Sequence, residues 1–235
     1  MKLVILAGGY GTRLSEETKI KPKPLVKIGN RPIIWHIMKF YSHYGINNFI
    51  ICLGYKGQIL IKELKKFTSK ESWDIKFVQT GLKTMTGGRI KKIEKYVSDE
   101  ENFCLSYGDG LSDVNIKKLI NFHKKNKKMA TLTAVRYKNP KGVLIFSNNS
   151  NVKKIKEKPI EYINGGFFVL SKKIFKFLKD SKTVFERDCL PKLTKQKELI
   201  AFKHNGFWAC MDTLREKKEL NKIYKSKEKA WKVWM

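Results

Sequence analysis

Gly8-Gly9-Tyr10-Gly11-Thr12-Arg13 follows directly on the apolar run Leu3 to Ala7, combining missing side chains with a fixed positive fork. The glycines leave backbone N–H groups open to an approaching anion and permit dihedrals closed to other residues. Arg13 adds a planar set of donors matched to phosphate oxygens. Lys21 and Lys23, alternating with Pro22 and Pro24, bring two more cations close behind. The combination points to a nucleoside triphosphate. Two commoner phosphate motifs do not fit. A Walker loop closes on Gly-Lys-Ser/Thr, which does not follow Gly11, and the dinucleotide fingerprint needs glycine where Leu14 stands. On the residues alone, a strand-to-loop turn that uses glycine only for its shape stays open.

Two aspartates offer the complementary chemistry. Asp109 sits between Gly108 and Gly110 just after the apolar run Phe103 to Ser106, and Asp212 follows a second run, Phe207 to Cys210. Two carboxylates at strand ends suit Mg²⁺, which takes few protein oxygens and leaves its other positions to water and phosphate. Each also has an ordinary reading: a turn aspartate with an Asx hydrogen bond for Asp109, and the N-cap of a helix starting near Leu214 for Asp212.

Positioning these groups requires regular elements, and the chain supplies them in alternation. Leu3 to Ala7, Phe49 to Leu53, Ile75 to Val78, Phe103 to Ser106 and Thr131 to Val135 read as strands. Pro32 to Tyr44, Gln58 to Phe67, Gly88 to Val97 and Val114 to Asn126 read as helices, the first opened by proline and stopped at Gly45. This predicts an α/β fold, a Rossmann-like three-layer sandwich whose mixed, mainly parallel sheet presents ligands at the carboxyl ends of its strands. After Asn139 the rhythm changes. Val143 to Phe146, Val152 to Ile155 and Phe167 to Leu170 read as short strands of an antiparallel subregion. Helical segments at Lys172 to Leu178 and Glu186 to Lys195, strands at Leu199 to Lys203 and Trp208 to Ala209, and a helix from Leu214 to about Lys225 complete the chain. With no repeat and no low-complexity linker, the expected organisation is one domain over 1–235, with a nucleotide-binding core at 1–138 and an elaboration at 139–235.

Composition narrows the classes. A hydrophobic content of 42% excludes a disordered chain. The four cysteines, Cys52, Cys104, Cys189 and Cys210, lie far apart, so free thiols in a reducing cytoplasm are expected, without zinc. No signal-peptide core and no long apolar span are present, giving a soluble, cytoplasmic expectation with no membrane partner. The net charge of +29 raises the question of nucleic acid, but only six of the 50 basic residues are arginine. Dispersed lysines form a solvated surface rather than a base-reading or base-stacking groove, so no specific nucleic-acid partner is expected.

The string GGYGTR with Lys-Pro downstream resembles the signature of sugar-1-phosphate nucleotidyltransferases. The similarity is greatest to the glucose-1-phosphate cytidylyltransferases, through TMTGGRIKK (Thr84 to Lys92), YGDG (Tyr107 to Gly110), EKP (Glu157 to Pro159), NGGFFVL (Asn164 to Leu170) and FWACMDTLR (Phe207 to Arg215). The resemblance implies a nucleotide-diphospho-sugar transferase-like fold, with Arg13, Lys23, Asp109 and Asp212 as catalytic residues and the two aspartates holding Mg²⁺. Nucleotide contacts are implied for Leu6, Ala7, Gly8, Gly9, Tyr10, Gly11, Thr12, Arg13, Lys23, Thr84, Arg89 and Gly108. Sugar-phosphate contacts are implied for Gly142, Glu157, Lys158, Asn164 and Gly165. Lys23 rather than Lys21 matches the phosphate-contacting lysine, and its flanking prolines are expected to hold it extended.

The implied substrates are a nucleoside triphosphate, most closely CTP, and a sugar 1-phosphate, most closely glucose 1-phosphate. The sugar phosphate is largely ionised at neutral pH, with a second pKa near ~6, so it can attack the α-phosphorus without a general base. The protein's work is then positioning and charge neutralisation. A UTP- or dTTP-dependent enzyme, a different phosphorylated substrate, a non-catalytic sensor and a polyanion binder remain as alternatives. The segment between Gly57 and Gln79 is shorter than in the cytidylyltransferases, which leaves base choice and assembly open, although a homo-oligomer is expected.

Overall fold

The computed structural model describes residues 1–226 and 230–234; the side chains of Arg13 and Ser15 fall outside the description. Seven strands form the central sheet: β1 (Leu3–Leu6), β4 (Asn48–Leu53), β5 (Asp74–Gln79), β6 (Asn102–Tyr107), β8 (Ala130–Lys138), β11 (Ile160–Ser171) and β12 (Leu199–His204). Their order is β12-β8-β11-β6-β1-β4-β5. All neighbours run parallel except β11, which is antiparallel to both β6 and β8. Three two-stranded pairs stand apart from it: β2 (Lys27–Ile28) with β3 (Arg31–Pro32), β7 (Gly110–Ser112) with β13 (Trp208–Cys210), and β9 (Val143–Phe146) with β10 (Val152–Lys156).

Alternation along the central strands builds a core on each face. Leu3, Ile5, Phe49, Ile51, Cys104 and Phe167 pack against α2 (Ile33–His43), α3 (Gly57–Thr68), α5 (Ile116–Asn126) and α7 (Leu214–Lys225). Val4, Ile50, Cys52, Phe103, Leu105 and Phe168 face the other way, toward α4 (Thr86–Lys92), the π-helical turn Phe185–Cys189 and α6 (Leu190–Lys195). One further short helix, α1 (Ser15–Thr18), follows the glycine loop. Because both faces of each central strand are buried, the strands read as near-continuous apolar runs, as a covered parallel sheet requires. Local signals fix the helix ends. Gly45, at φ +82°, ends α2 in a Schellman motif, with Gly45 N–H donating to Ser42 O and Ile46 N–H to Tyr41 O.

The expected elements are present with three differences. The helix expected over 88–97 stops at Lys92, and a separate 3₁₀ turn covers Glu94–Tyr96. The helix expected from Glu186 begins as a π turn. The strand expected at Phe167 to Leu170 does not belong to a separate subregion. It is the end of the long strand β11, buried on both faces, so it is driven into the central sheet. Of the strands expected in that subregion, β9 and β10 form a separate hairpin, with Leu144, Phe146, Val152 and Ile155 exposed. All four cysteines are free thiols. No helix among the described residues is long and apolar enough to cross a membrane.

Two buried histidines carry a pH signature. His36 sets Nε2 at 2.9 Å from Ile28 O, while its Nδ1 lies 3.3 Å from the Trp231 indole N–H. His123 sets Nε2 at 2.9 Å from Asn102 Oδ1 and Nδ1 at 2.9 Å from the Thr131 hydroxyl. In each ring the carbonyl partner calls for a proton on Nε2, and Nδ1 then accepts. Protonating Nδ1 would destroy that acceptor. Burial pushes both rings down to about 4. Between that value and the ordinary pKa near ~6.5, the unfolded chain binds protons that the folded one refuses, so stability falls as pH drops through this window. We expect a loss of roughly 2 kcal/mol per ring near pH 5 relative to pH 7, read by urea denaturation. The ring resonances should not titrate over that range; titration near 6.5 would overturn the assignment.

Candidate active site

The loop after β1, the turn after β5 and the loop after β6 meet at the carboxyl ends of their strands around a cavity of about 590 Å³. This is where an open α/β sheet places its ligand. Leu6 to Thr12 form one wall, and Gly108 and Asp109 the floor. Leu82 to Thr86 with Arg89 form the opposite wall, completed by Lys23, Tyr107, Asn164 and Glu186. Tyr10, Leu82 and Met85 are exposed apolar groups on its rim.

A short ladder assembles the charged centre. Residues at the ends of β7 and β13 pair, Cys210 opposite Gly110, and Met211 N–H donates to Asp109 O. This sets Asp212 beside Asp109 across more than a hundred residues of sequence. The ammonium of Lys23 lies between them, 2.5 Å from Asp109 Oδ2 and 2.6 Å from Asp212 Oδ1. Burial alone would lower the Lys23 pKa, but the two carboxylates outweigh it and the pKa is raised. The N-cap of α7 is Thr213, in a capping box with Glu216, so Asp212 is not the cap that its position before the helix allowed. Lys23 is also not in an extended segment. Pro22 is extended, and Lys23 starts a 3₁₀ turn closed by Leu25 N–H on Pro22 O. Lys21 is tied elsewhere, 2.9 Å from Glu17, which also pairs with Lys217.

The two aspartates fit a hard divalent cation. A single positive group already meets an oxygen of each, so the donors converge on one point, and both are carboxylates of the type such cations take. A second cluster, Cys210, Asp212 and Glu216, has its ligand atoms within 4.8 Å of one another. It does not fit a metal. Glu216 is committed to the Asp212 and Thr213 N–H groups, and burial with nearby carboxylates pushes the Cys210 thiol up to about 12.

Arg89 is almost fully buried. Its guanidinium donates to Gly8 O, Leu53 O, Gly81 O and the Thr80 hydroxyl. A Cβ at Gly8 would sit 2.1 Å from that guanidinium, so glycine is obligatory there. Thr84 likewise turns its hydroxyl to the main chain, at Thr80 O. Both residues implied as nucleotide contacts therefore line the cavity while their polar groups brace its wall. The backbone of Arg13 lies in the 3₁₀ turn Thr12–Leu14, and its side chain lies outside the described residues.

Of the residues implied for the sugar phosphate, Asn164 alone lines this cavity among the described residues. It pairs with Ala134 at the edge of a register break in β11 that runs from Asn164 to Phe168. Gly165 packs against Val135 and Thr133, and its carbonyl accepts from the Trp208 indole. Gly142 and Glu157 face each other at the base of the β9–β10 hairpin, where Glu157 and Lys158 are exposed. Tyr107 and Glu186, which also line the cavity, were not singled out from the sequence. Tyr107 stands in the YGDG string beside Asp109, whereas Glu186 carries no local mark beyond opening a helical segment.

Residues 2–226 match the family described as nucleotidyl transferase. The chain belongs to that family. Over 257 aligned residues covering all of both chains it is 44% identical to the glucose-1-phosphate cytidylyltransferase of Salmonella typhimurium strain LT2. It is 41% identical over 256, again covering both chains fully, to the probable glucose-1-phosphate cytidylyltransferase of Bacillus subtilis strain 168. Among solved structures, HddC from Yersinia pseudotuberculosis superposes with a TM-score of 0.77 at 28% identity, covering 95% of this chain and 99% of its own. As a nucleotidyltransferase with a mixed, mostly parallel sheet, the chain carries the fold its sequence pattern predicted.

Proposed function

We propose that this nucleotidyltransferase moves the cytidylyl group of CTP onto glucose 1-phosphate, giving CDP-glucose and pyrophosphate in the cytoplasm. The observation that carries the reading is full-length identity of 41–44% to glucose-1-phosphate cytidylyltransferases. The convergence of Lys23, Asp109 and Asp212 beside a glycine loop supports it. The phosphate chain lies along Gly8 to Thr12, with Arg13 on the departing pyrophosphate and Lys23 neutralising charge at the α-phosphate. Thr84, Arg89 and Gly108 shape the nucleoside side. Asn164 meets the sugar phosphate, and Gly142, Glu157, Lys158 and Gly165 complete that end. Asp109 and Asp212 would hold Mg²⁺, which would offset phosphate charge. The glucose 1-phosphate oxygen forms a bond to the α-phosphorus as the bond to the pyrophosphate oxygen breaks, and no covalent enzyme intermediate is needed.

Self-association belongs to the same reading. A homo-oligomer is expected, and sedimentation of a species heavier than the 27.4 kDa chain checks it. The decisive assay crosses CTP, UTP, dTTP and GTP with glucose 1-phosphate and other sugar phosphates, measuring pyrophosphate with Mg²⁺ and with a chelator. CTP with glucose 1-phosphate should be the best pair and the chelator should silence it. A faster reaction with another base would overturn the assignment.

A further inference from the structure

A continuous hydrogen-bond chain crosses the cavity from one wall to the other. Glu186 accepts the Tyr107 hydroxyl at 2.5 Å through Oε1 and the Thr86 hydroxyl at 2.7 Å through Oε2. The Tyr107 oxygen lies 3.2 Å from Asn164 Nδ2, and Asn164 Oδ1 accepts the Gly166 N–H at 2.9 Å. Thr86 Oγ1 in turn accepts the Phe185 N–H at 2.9 Å, anchoring the π turn that carries Glu186.

The polarity of this chain is set at one end. A carboxylate only accepts, so the Tyr107 hydroxyl must donate to it, and the phenol oxygen is left as an acceptor. With an acceptor opposite it, Asn164 must present its NH₂ group there and its carbonyl to Gly166. Asn164 has an amide that fits its pocket in either orientation by shape alone. The Gly166 N–H, which can only donate, holds the carbonyl end, and the Tyr107 oxygen, kept an acceptor by Glu186, holds the NH₂ end.

We infer that Glu186 is a positioning residue for the sugar phosphate: through Tyr107 it holds the NH₂ end of the Asn164 amide, whose carbonyl end the Gly166 N–H holds, and so aims the donor that Asn164 offers to a substrate oxygen. The inference rests on the reading that Asn164 meets the sugar phosphate. Glutamine at 186 keeps the shape but can donate to the Tyr107 oxygen, so the chain loses its fixed direction. Phenylalanine at 107 cuts the chain in the middle.

The test is a kinetic cycle of Glu186→Gln, Tyr107→Phe and the double variant, with melting curves for each. Each single variant should raise KM for glucose 1-phosphate about tenfold, the scale of one misdirected substrate hydrogen bond. KM for CTP should stay within about twofold, and the double variant should be no worse than the singles because one chain is being cut twice. The Asn164 side-chain amide resonances, identified by their loss in Asn164→Asp, should shift in both single variants of the free protein. An unchanged sugar KM, a parallel rise in both KM values, or defects that multiply in the double variant would overturn the inference; Tyr107→Phe carries the test if Glu186→Gln folds poorly. Failure of the underlying reading looks different, since it appears in the wild-type protein as no pyrophosphate release with any sugar phosphate, while the amide shifts persist.

Discussion

Asp212→Asn is expected to lower turnover at least about a thousandfold while the protein melts within a few degrees of wild type. The substitution removes one negative charge and keeps volume and backbone. Lys23 retains Asp109 as its ion-pair partner, so its charge stays paired, and the capping box of α7 depends on Thr213 and Glu216 rather than on this side chain. What is lost is one of two oxygens that converge on a single cationic point. Pyrophosphate release across a Mg²⁺ titration checks it: raising Mg²⁺ should recover little, because one neutral amide oxygen replaces an anionic ligand. Near-normal release would remove the aspartates from the chemistry and leave the pair as a structural anchor for Lys23. A lysine comparison sharpens the point. Lys23→Ala should be nearly as damaging, whereas Lys21→Ala, which only frees a partly exposed pair with Glu17, should cost less than about fivefold.

Much of this centre was legible because its parts sit at strand ends with local marks. The glycine run after Leu3 to Leu6 and the Gly-Asp-Gly after Phe103 to Ser106 are readable from patterning and turn chemistry alone. The alternation of strands and helices likewise fixed the sheet, since fully buried strands leave unbroken apolar runs. Pairing was not legible. No local signal says that β11 runs antiparallel between β6 and β8, because its apolar end looks the same whichever sheet it enters. Nor does a sequence display the β7–β13 ladder, three residues on each side, that delivers Asp212 to Asp109. Glu186 was missed for a related reason. Its role comes from a π turn that rotates one side chain into the cavity, and its partners Thr86 and Tyr107 lie far away in the chain. Arg89 was found by motif but with an incomplete physical role, since burial among carbonyls from three separate segments is a tertiary fact.

That burial makes Arg89→Met the largest expected loss of stability, about 3–5 kcal/mol, or roughly 10 °C in melting temperature for a chain of this size. The carbonyls of Gly8, Leu53 and Gly81 and the Thr80 hydroxyl would all lose a charged donor in a place water reaches poorly. The consequence for function follows from peptide geometry. In a trans peptide the C=O of residue 8 and the N–H of residue 9 point in opposite directions, and no cis bond occurs among the described residues. Drawing the Gly8 carbonyl onto Arg89 therefore turns the Gly9 N–H away from that guanidinium. On the proposed reading, Arg89 helps to orient a phosphate-binding donor of the glycine loop through the Gly8 carbonyl. Arg89→Met should raise KM for CTP together with the fall in melting temperature, and Arg89→Lys should recover only part of either, because an ammonium cannot span the separated carbonyls as the planar fork does. A variant that binds CTP poorly yet melts like wild type would mean that Arg89 touches the nucleotide directly and that the loop keeps its shape without it.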